Sequence, residues 1–370
     1  MTGFAQRVIS IDISGIRKMA ETARQNTINM GLGQPDFDTP ENIKQAAIRA
    51  IENGKTGYTN NAGIDELRDA IAWKLKTEND LKHLERKNIL ITAGGSGALH
   101  AAIASLVETG EKVVFNNPGF VSYEPLAKLF GGVPDPIPLT PELHLDVEAL
   151  KERFSDKKCK VMILNNPSNP TGMVETKETI KAVVEAAEDS NVTILSDEVY
   201  EKFCYGNAKF FSAAAFGDNV VTINATSKTY AMTGWRVGFM AGDENIINQA
   251  VKIQQYSLAC PTSIAQYAAL EAYTGDQSSV KIMKKEYETR RNILIGGLKN
   301  LGIEVTPPEG AFYTFPKLSA ETVTEIVKND VIITPGTVFG TLGEGYARIS
   351  YATSQENIRE ALNRIAKVVN

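Results

Sequence analysis

Between residues 89 and 241, short apolar runs rich in β-branched side chains alternate with longer amphipathic stretches, the pattern of strand and helix units that build a mostly parallel sheet. Seven runs are predicted as strands: Ile89–Thr92, Val113–Asn116, Val133–Leu139, Val161–Leu164, Val192–Ser196, Val220–Asn224 and Val237–Ala241. Too few residues separate the last from its predecessor for a helical crossover, so it is predicted to run antiparallel to its neighbours. Beyond Cys260-Pro261 the pattern turns helical, including Ser279–Leu301. A smaller αβ segment follows through Ala311–Phe315, Val331–Thr334 and Ala347–Tyr351. The expected architecture is an α/β large domain over 43–270 with a seven-stranded, mostly parallel sheet. A smaller, discontinuous α+β domain is expected from the N-terminal segment 1–42 together with 271–370. There is no internal repeat and no low-complexity linker.

A length of 370 residues, 43% hydrophobic and 22% charged, is that of an ordinary soluble protein with room for two cores. The net charge of -5, with no Lys/Arg stripe interleaved with aromatics, argues against a nucleic-acid partner. The three cysteines have no CxxC spacing and the three histidines no metal-ligand spacing, so no metal is expected. MTGFAQRVIS has no apolar signal core, and the apolar stretch Ala98–Val107 is too short to cross a bilayer. A cytoplasmic protein with no membrane partner is the expectation.

The candidate chemistry sits just beyond the carboxyl ends of the predicted strands, where open α/β sheets bind their ligands. Lys228 lies in TSKTYAMTGWRVG, eight residues before Arg236, among small and hydroxyl-bearing side chains. An amine that must be neutral to attack an aldehyde needs a desolvated pocket and a neighbouring cation to lower its pKa, and Arg236 is a candidate for that cation. In LSDEVY, an apolar run ends at Asp197, with Tyr200 three residues on. GGSG at Gly94–Gly97 opens an alanine-rich helix whose free N–H groups suit a phosphate. Taken singly, these features have plainer explanations as a surface lysine, a helix cap and a tight turn. As an ordered set with NNPSNPTG (Asn165–Gly172), TAGGSGALHAA (Thr92–Ala102), GLGQPDF from Gly31 and ARISYATS from Ala347, the chain resembles the class I and II aminotransferases from about Ile13 to Ala366. These are fold-type I enzymes that use pyridoxal 5'-phosphate.

The resemblance implies a role for each matched position. Gly95, Ser96 and Gly97, with Arg236 and Ser227, would grip the cofactor phosphate. Many relatives carry a serine three residues before the lysine, where this chain has Ala225, which removes one phosphate contact. Tyr58, in KTGYTNNAG, matches an element that reaches across a homodimer interface to the neighbour's phosphate, so active sites would be shared. Lys228 would be the Schiff-base lysine and the base, Asp197 would pair with the pyridine nitrogen, and Tyr200 and Asn169 would bond the phenolic oxygen. Phe120 would stack on the ring. Asn169, Gly33 and Arg348 would hold the substrate α-carboxylate, and Ser14 and Ile16 would fold over the entrance. The implied reaction is ping-pong transfer of an α-amino group from an amino acid to a 2-oxo acid, with aspartate and 2-oxoglutarate as first choice. Aromatic amino acids, kynurenine and alanine are alternative donors, since the motifs serve all of these. Carbon-sulfur β-elimination and a non-catalytic, pyridoxal-phosphate-binding regulator stay open as other classes.

Overall fold

The computed structural model describes residues 3–20, 24 and 26–369. Its strands, in chain order, are β1 (Ile28–Asn29), β2 (Ile89–Thr92), β3 (Lys112–Asn117), β4 (Val133–Pro138), β5 (Cys159–Asn165), β6 (Thr193–Asp197), β7 (Val220–Ala225), β8 (Gly238–Ala241), β9 (Tyr313–Thr314), β10 (Val331–Ile332), β11 (Thr334–Pro335) and β12 (Ala347–Ser350). Strands β2 to β8 form one seven-stranded sheet in the order β2-β8-β7-β6-β5-β3-β4. Pairing is parallel except at β8, which runs antiparallel to both β2 and β7, as its short connection requires. The α/β fold with a mixed, mostly parallel sheet is therefore the one expected of fold-type I aminotransferases.

The central strands read as nearly unbroken apolar runs because both faces of the sheet are covered. Met162, Leu164 and Ile194 point into one core with Leu67, Ile71 and Phe239. Their alternates Val161, Ile163, Leu195 and Ile223 pack on the other face against Ala98, Ala102 and Ile103 of the helix Gly94–Leu106.

A third core joins the rest of the chain. It contains Met30, Tyr287, Phe312, Tyr313, Ile349 and Ile365. There β1 pairs parallel with β10, and β11-β12-β9 form a small antiparallel sheet. The connection from β6 to β7 carries no α-helix, only the 3-10 turn Ala213–Ala215. Its residues Tyr200, Phe203 and Tyr205 are instead buried in this third core. A helix laid back over the sheet would withdraw those three rings. No helix of the described residues is long and apolar enough to cross a membrane.

Candidate active site

Backbone geometry brings the candidate residues to one edge of the large sheet. Asp197 ends β6 and lies level with Asn165 of β5 and Ile223 of β7. β7 runs on to Ala225, and the single helical turn Thr226–Thr229 that follows carries Lys228. On the far side β2 ends at Thr92 and the helix Gly94–Leu106 begins. Gly94 has φ +74, and a Cβ there would stand 2.6 Å from Arg236 Nη2. The positive φ of the turn is what favours glycine there, and the missing Cβ lets the Arg236 guanidinium lie close against the backbone. Arg236 is exposed and donates from Nη1 to Thr233 O at 2.9 Å and from Nη2 to Ala93 O at 3.4 Å.

These elements enclose a cavity of about 270 Å³, lined among others by Gly95, Ser96, Phe120, Ser227, Lys228 and Arg236. Burial, together with the charges of Arg348 and Arg236, pushes the Lys228 ammonium down to about 8, opposed by Asp197. Its Nζ donates to Gly33 O at 2.6 Å. Burial raises the Asp197 carboxyl to about 6, against the lowering effect of the Tyr123 hydroxyl, which donates to Oδ2 at 2.9 Å. Oδ1 of Asp197 is buried and has no hydrogen-bond partner. Tyr200 and Tyr313 share a hydroxyl–hydroxyl bond of 2.9 Å. Burial holds Tyr200 well above the usual phenol range, so it stays neutral and able to donate.

The opposite wall is built around Arg348, whose side chain is among the largest fully buried in the molecule. Nη1 donates to Asn169 Oδ1 at 2.9 Å and Nη2 to Gly31 O at 2.5 Å. The guanidinium carbon lies 4.5 Å from the ring centre of Tyr313 and 4.7 Å from that of Phe339. Nε has no partner. Asn169 is held in turn by its own N–H, which donates to Asn165 Oδ1 at 2.7 Å.

Of the residues singled out in the sequence, Gly33, Asn169, Asp197, Tyr200 and Arg348 also line the cavity, as do Ala225 and Ile16. Three do not. Gly97 faces a separate recess with His100 and Gln254, Ser14 lines a neighbouring one, and Tyr58 is 92% exposed. Tyr123, Tyr313 and Phe339 were missed. Tyr123 follows Phe120 by three residues beyond the Pro118-Gly119 turn, Tyr313 sits in the run Ala311–Phe315, and Phe339 sits among glycines and threonines between two strand runs. No local signal distinguishes them. Among the described residues there is no cluster of three or more His, Cys, Asp or Glu able to hold a metal.

The donor set fits an anionic aromatic cofactor. A helix start and an exposed guanidinium offer donors to a phosphate. An unpartnered, buried carboxylate oxygen suits a protonated ring nitrogen, and a partly buried amine with a lowered pKa stands where an aldehyde would be captured.

Comparison with known proteins agrees. The model of the family described as aminotransferase class I and II matches residues 25–365. The chain is 44% identical over 375 residues to a probable aspartate aminotransferase of Methanocaldococcus jannaschii, covering 98% of this chain and 99% of the relative. It is 39% identical over 381 residues to aromatic-amino-acid aminotransferase 2 of Thermococcus litoralis, covering 99% and 98%. A solved structure of aspartate aminotransferase from Thermus thermophilus with maleate matches with a TM-score of 0.95 at 33% identity, over 100% of both chains.

Proposed function

Since the chain belongs to the class I and II aminotransferases, enzymes dependent on pyridoxal phosphate, we propose that it moves the α-amino group of aspartate to 2-oxoglutarate. The observation that carries the amino-transfer chemistry is Lys228, an amine brought to about 8 by burial between two guanidinium groups. In this reading Gly95, Ser96, Ser227 and Arg236, which line the cavity, hold the cofactor phosphate. Asp197 Oδ1 meets the ring nitrogen, Tyr200 and Asn169 meet the phenolic oxygen, and Phe120 covers the ring. When bound, the cofactor supplies the electron sink for charge developing at the substrate α-carbon. Arg348 and the Gly33 backbone fix the α-carboxylate, and Lys228 Nζ takes up and holds the α-proton.

The same reading makes the active unit a homodimer, with the exposed Tyr58 reaching the neighbour's phosphate. It also assigns residues 1–42 and 271–370 to a small domain over the large domain 43–270. The three cysteines are free, which suits a reducing cytoplasm.

Aspartate is favoured by the name of the Methanocaldococcus relative and by the dicarboxylate maleate in the Thermus structure. One observation favours a second reading, an aromatic donor. Among the described residues the cations lining the cavity are Lys228, Arg236 and Arg348, with Ile16, Leu99 and Val199 as apolar wall, and each of the three already has a part in this reading. The deciding measurement is kcat/KM for aspartate and for phenylalanine with 2-oxoglutarate as acceptor. A higher value for aspartate is expected. A tenfold preference for phenylalanine would replace the first reading by the second, and pyruvate and ammonia released from cystathionine without an acceptor would move the protein to β-elimination.

A further inference from the structure

Tyr313 touches three groups of the site and has no part in the chemistry assigned above. It is 1% exposed, on β9 beside β12, which carries Arg348. Its hydroxyl lies 2.9 Å from that of Tyr200. One face of its ring meets the Arg348 guanidinium. A Cβ on Gly33 would stand 2.1 Å from the Tyr313 hydroxyl, so this ring fits only because residue 33, whose carbonyl accepts from Lys228, is glycine.

We propose that Tyr313 is a positioning residue that ties the carboxylate-binding arginine, Arg348, to the cofactor-facing tyrosine, Tyr200. The inference rests on the aminotransferase reading. A phenol has one proton to donate. If Tyr200 gives its proton to the cofactor's phenolic oxygen, the 2.9 Å bond to Tyr313 runs in one direction only, with Tyr313 donating to Tyr200. Such a chain polarises the middle hydroxyl and strengthens its donation. The ring meanwhile fixes the plane of Arg348 by cation–π contact, with Phe339 beside the same guanidinium. Burial keeps Tyr313 un-ionised, so it serves as a neutral donor.

Two substitutions separate these roles. Tyr313→Phe keeps the ring and removes the hydroxyl, while Tyr313→Leu removes both. In the cofactor-loaded protein, the pH midpoint of the visible absorption change is expected to rise by about half a unit in Tyr313→Phe. Weaker donation by Tyr200 destabilises the ionised phenolic oxygen and so favours the proton on the neighbouring nitrogen. Affinity for maleate or 3-phenylpropionate, measured by titration, should hold in Tyr313→Phe and fall roughly 3- to 30-fold in Tyr313→Leu. A midpoint unmoved in Tyr313→Phe, or wild-type affinity for both acids in Tyr313→Leu, overturns the proposal. Thermal melting checks folding, and if Tyr313→Leu does not fold, the midpoint of Tyr313→Phe decides alone. Arg348→Ala is the control. Undiminished binding of both acids there would refute the assignment of Arg348 itself, and the proposal with it, whereas loss in Arg348→Ala beside an unaffected Tyr313→Leu refutes only the role of Tyr313.

Discussion

Two arginines face the same cavity under opposite conditions. Arg236 is exposed, hangs from a backbone with φ +55 and is held only by two carbonyl oxygens. Arg348 is 1% exposed, bonded to Asn169 and Gly31, and packed against two aromatic rings. A solvated fork gives up only water when a phosphate arrives. A desolvated one already carries the cost of burial, so its geometry is set before a substrate carboxylate reaches it. Both lower the pKa of Lys228, and the buried one contributes more. A charge in a dry wall is screened less than a charge at the mouth.

Removing the amine between them is expected to have the largest effect. Lys228→Ala should lower turnover by about 10²- to 10⁴-fold or more, the range for loss of an acid-base group being roughly 10²- to 10⁴-fold, while cofactor added to the protein still binds noncovalently. Retained transamination in a single-turnover assay would refute the role given to Lys228.

Exchanging each arginine for lysine sharpens the contrast. Arg348→Lys loses a planar fork at a site with no water to replace it, and should reduce kcat/KM for the amino acid by about 10²-fold. Arg236→Lys keeps a solvated charge and should weaken cofactor retention on dialysis by roughly tenfold, with KM for the amino acid little changed. Equal effects of the two on KM would remove the distinction drawn between them.

Asp197 tests the dry interior by pH. In the cofactor-free protein its carboxyl titrates near 6, above its ordinary value of 3.8. The folded state therefore keeps a proton that the unfolded chain has lost between about pH 4 and pH 6. The stability this contributes is complete below about pH 4 and is lost as pH rises through 6. Asp197→Asn, which never ionises, should gain about 2 kcal/mol relative to the wild type between pH 4 and pH 7 in denaturant titrations. A difference that does not vary with pH would contradict the raised value.

The smallest expected effect is at Ala225, buried at the end of β7. Ala225 lines the cavity, and Ala225→Ser would restore a hydroxyl near the phosphate position, tightening cofactor binding about 2- to 10-fold. Unchanged affinity would mean that Ser227 or Ser96 already meets that need.

The residues legible in the sequence are those whose chemistry is written into a local turn. Gly94–Gly97 and Lys228 sit directly after apolar strand runs, and the period of those runs places them at the sheet edge. Arg348 was legible only through resemblance, since an arginine in ARISYATS has the spacing of an ordinary strand residue. Tyr123, Tyr313 and Phe339 were illegible. Their functional contacts, to Asp197, Tyr200 and Arg348, lie 74, 113 and nine residues away in sequence and are made by rings that would serve equally well as core.

The strand and helix units, the antiparallel run of β8 and the glycine turn at the helix start could be read along the chain, because each depends on backbone preferences and spacing over a few residues. Which groups lose their water is set by packing between residues far apart in the chain. The pKa of Lys228, the unpartnered oxygen of Asp197 and the aromatic seat of Arg348 arise where residues packed on two of these cores, Leu99 and Phe120 on one side and Val199, Tyr200 and Tyr313 on the other, line one cavity, and desolvation depends on everything that surrounds a group rather than on its neighbours along the chain.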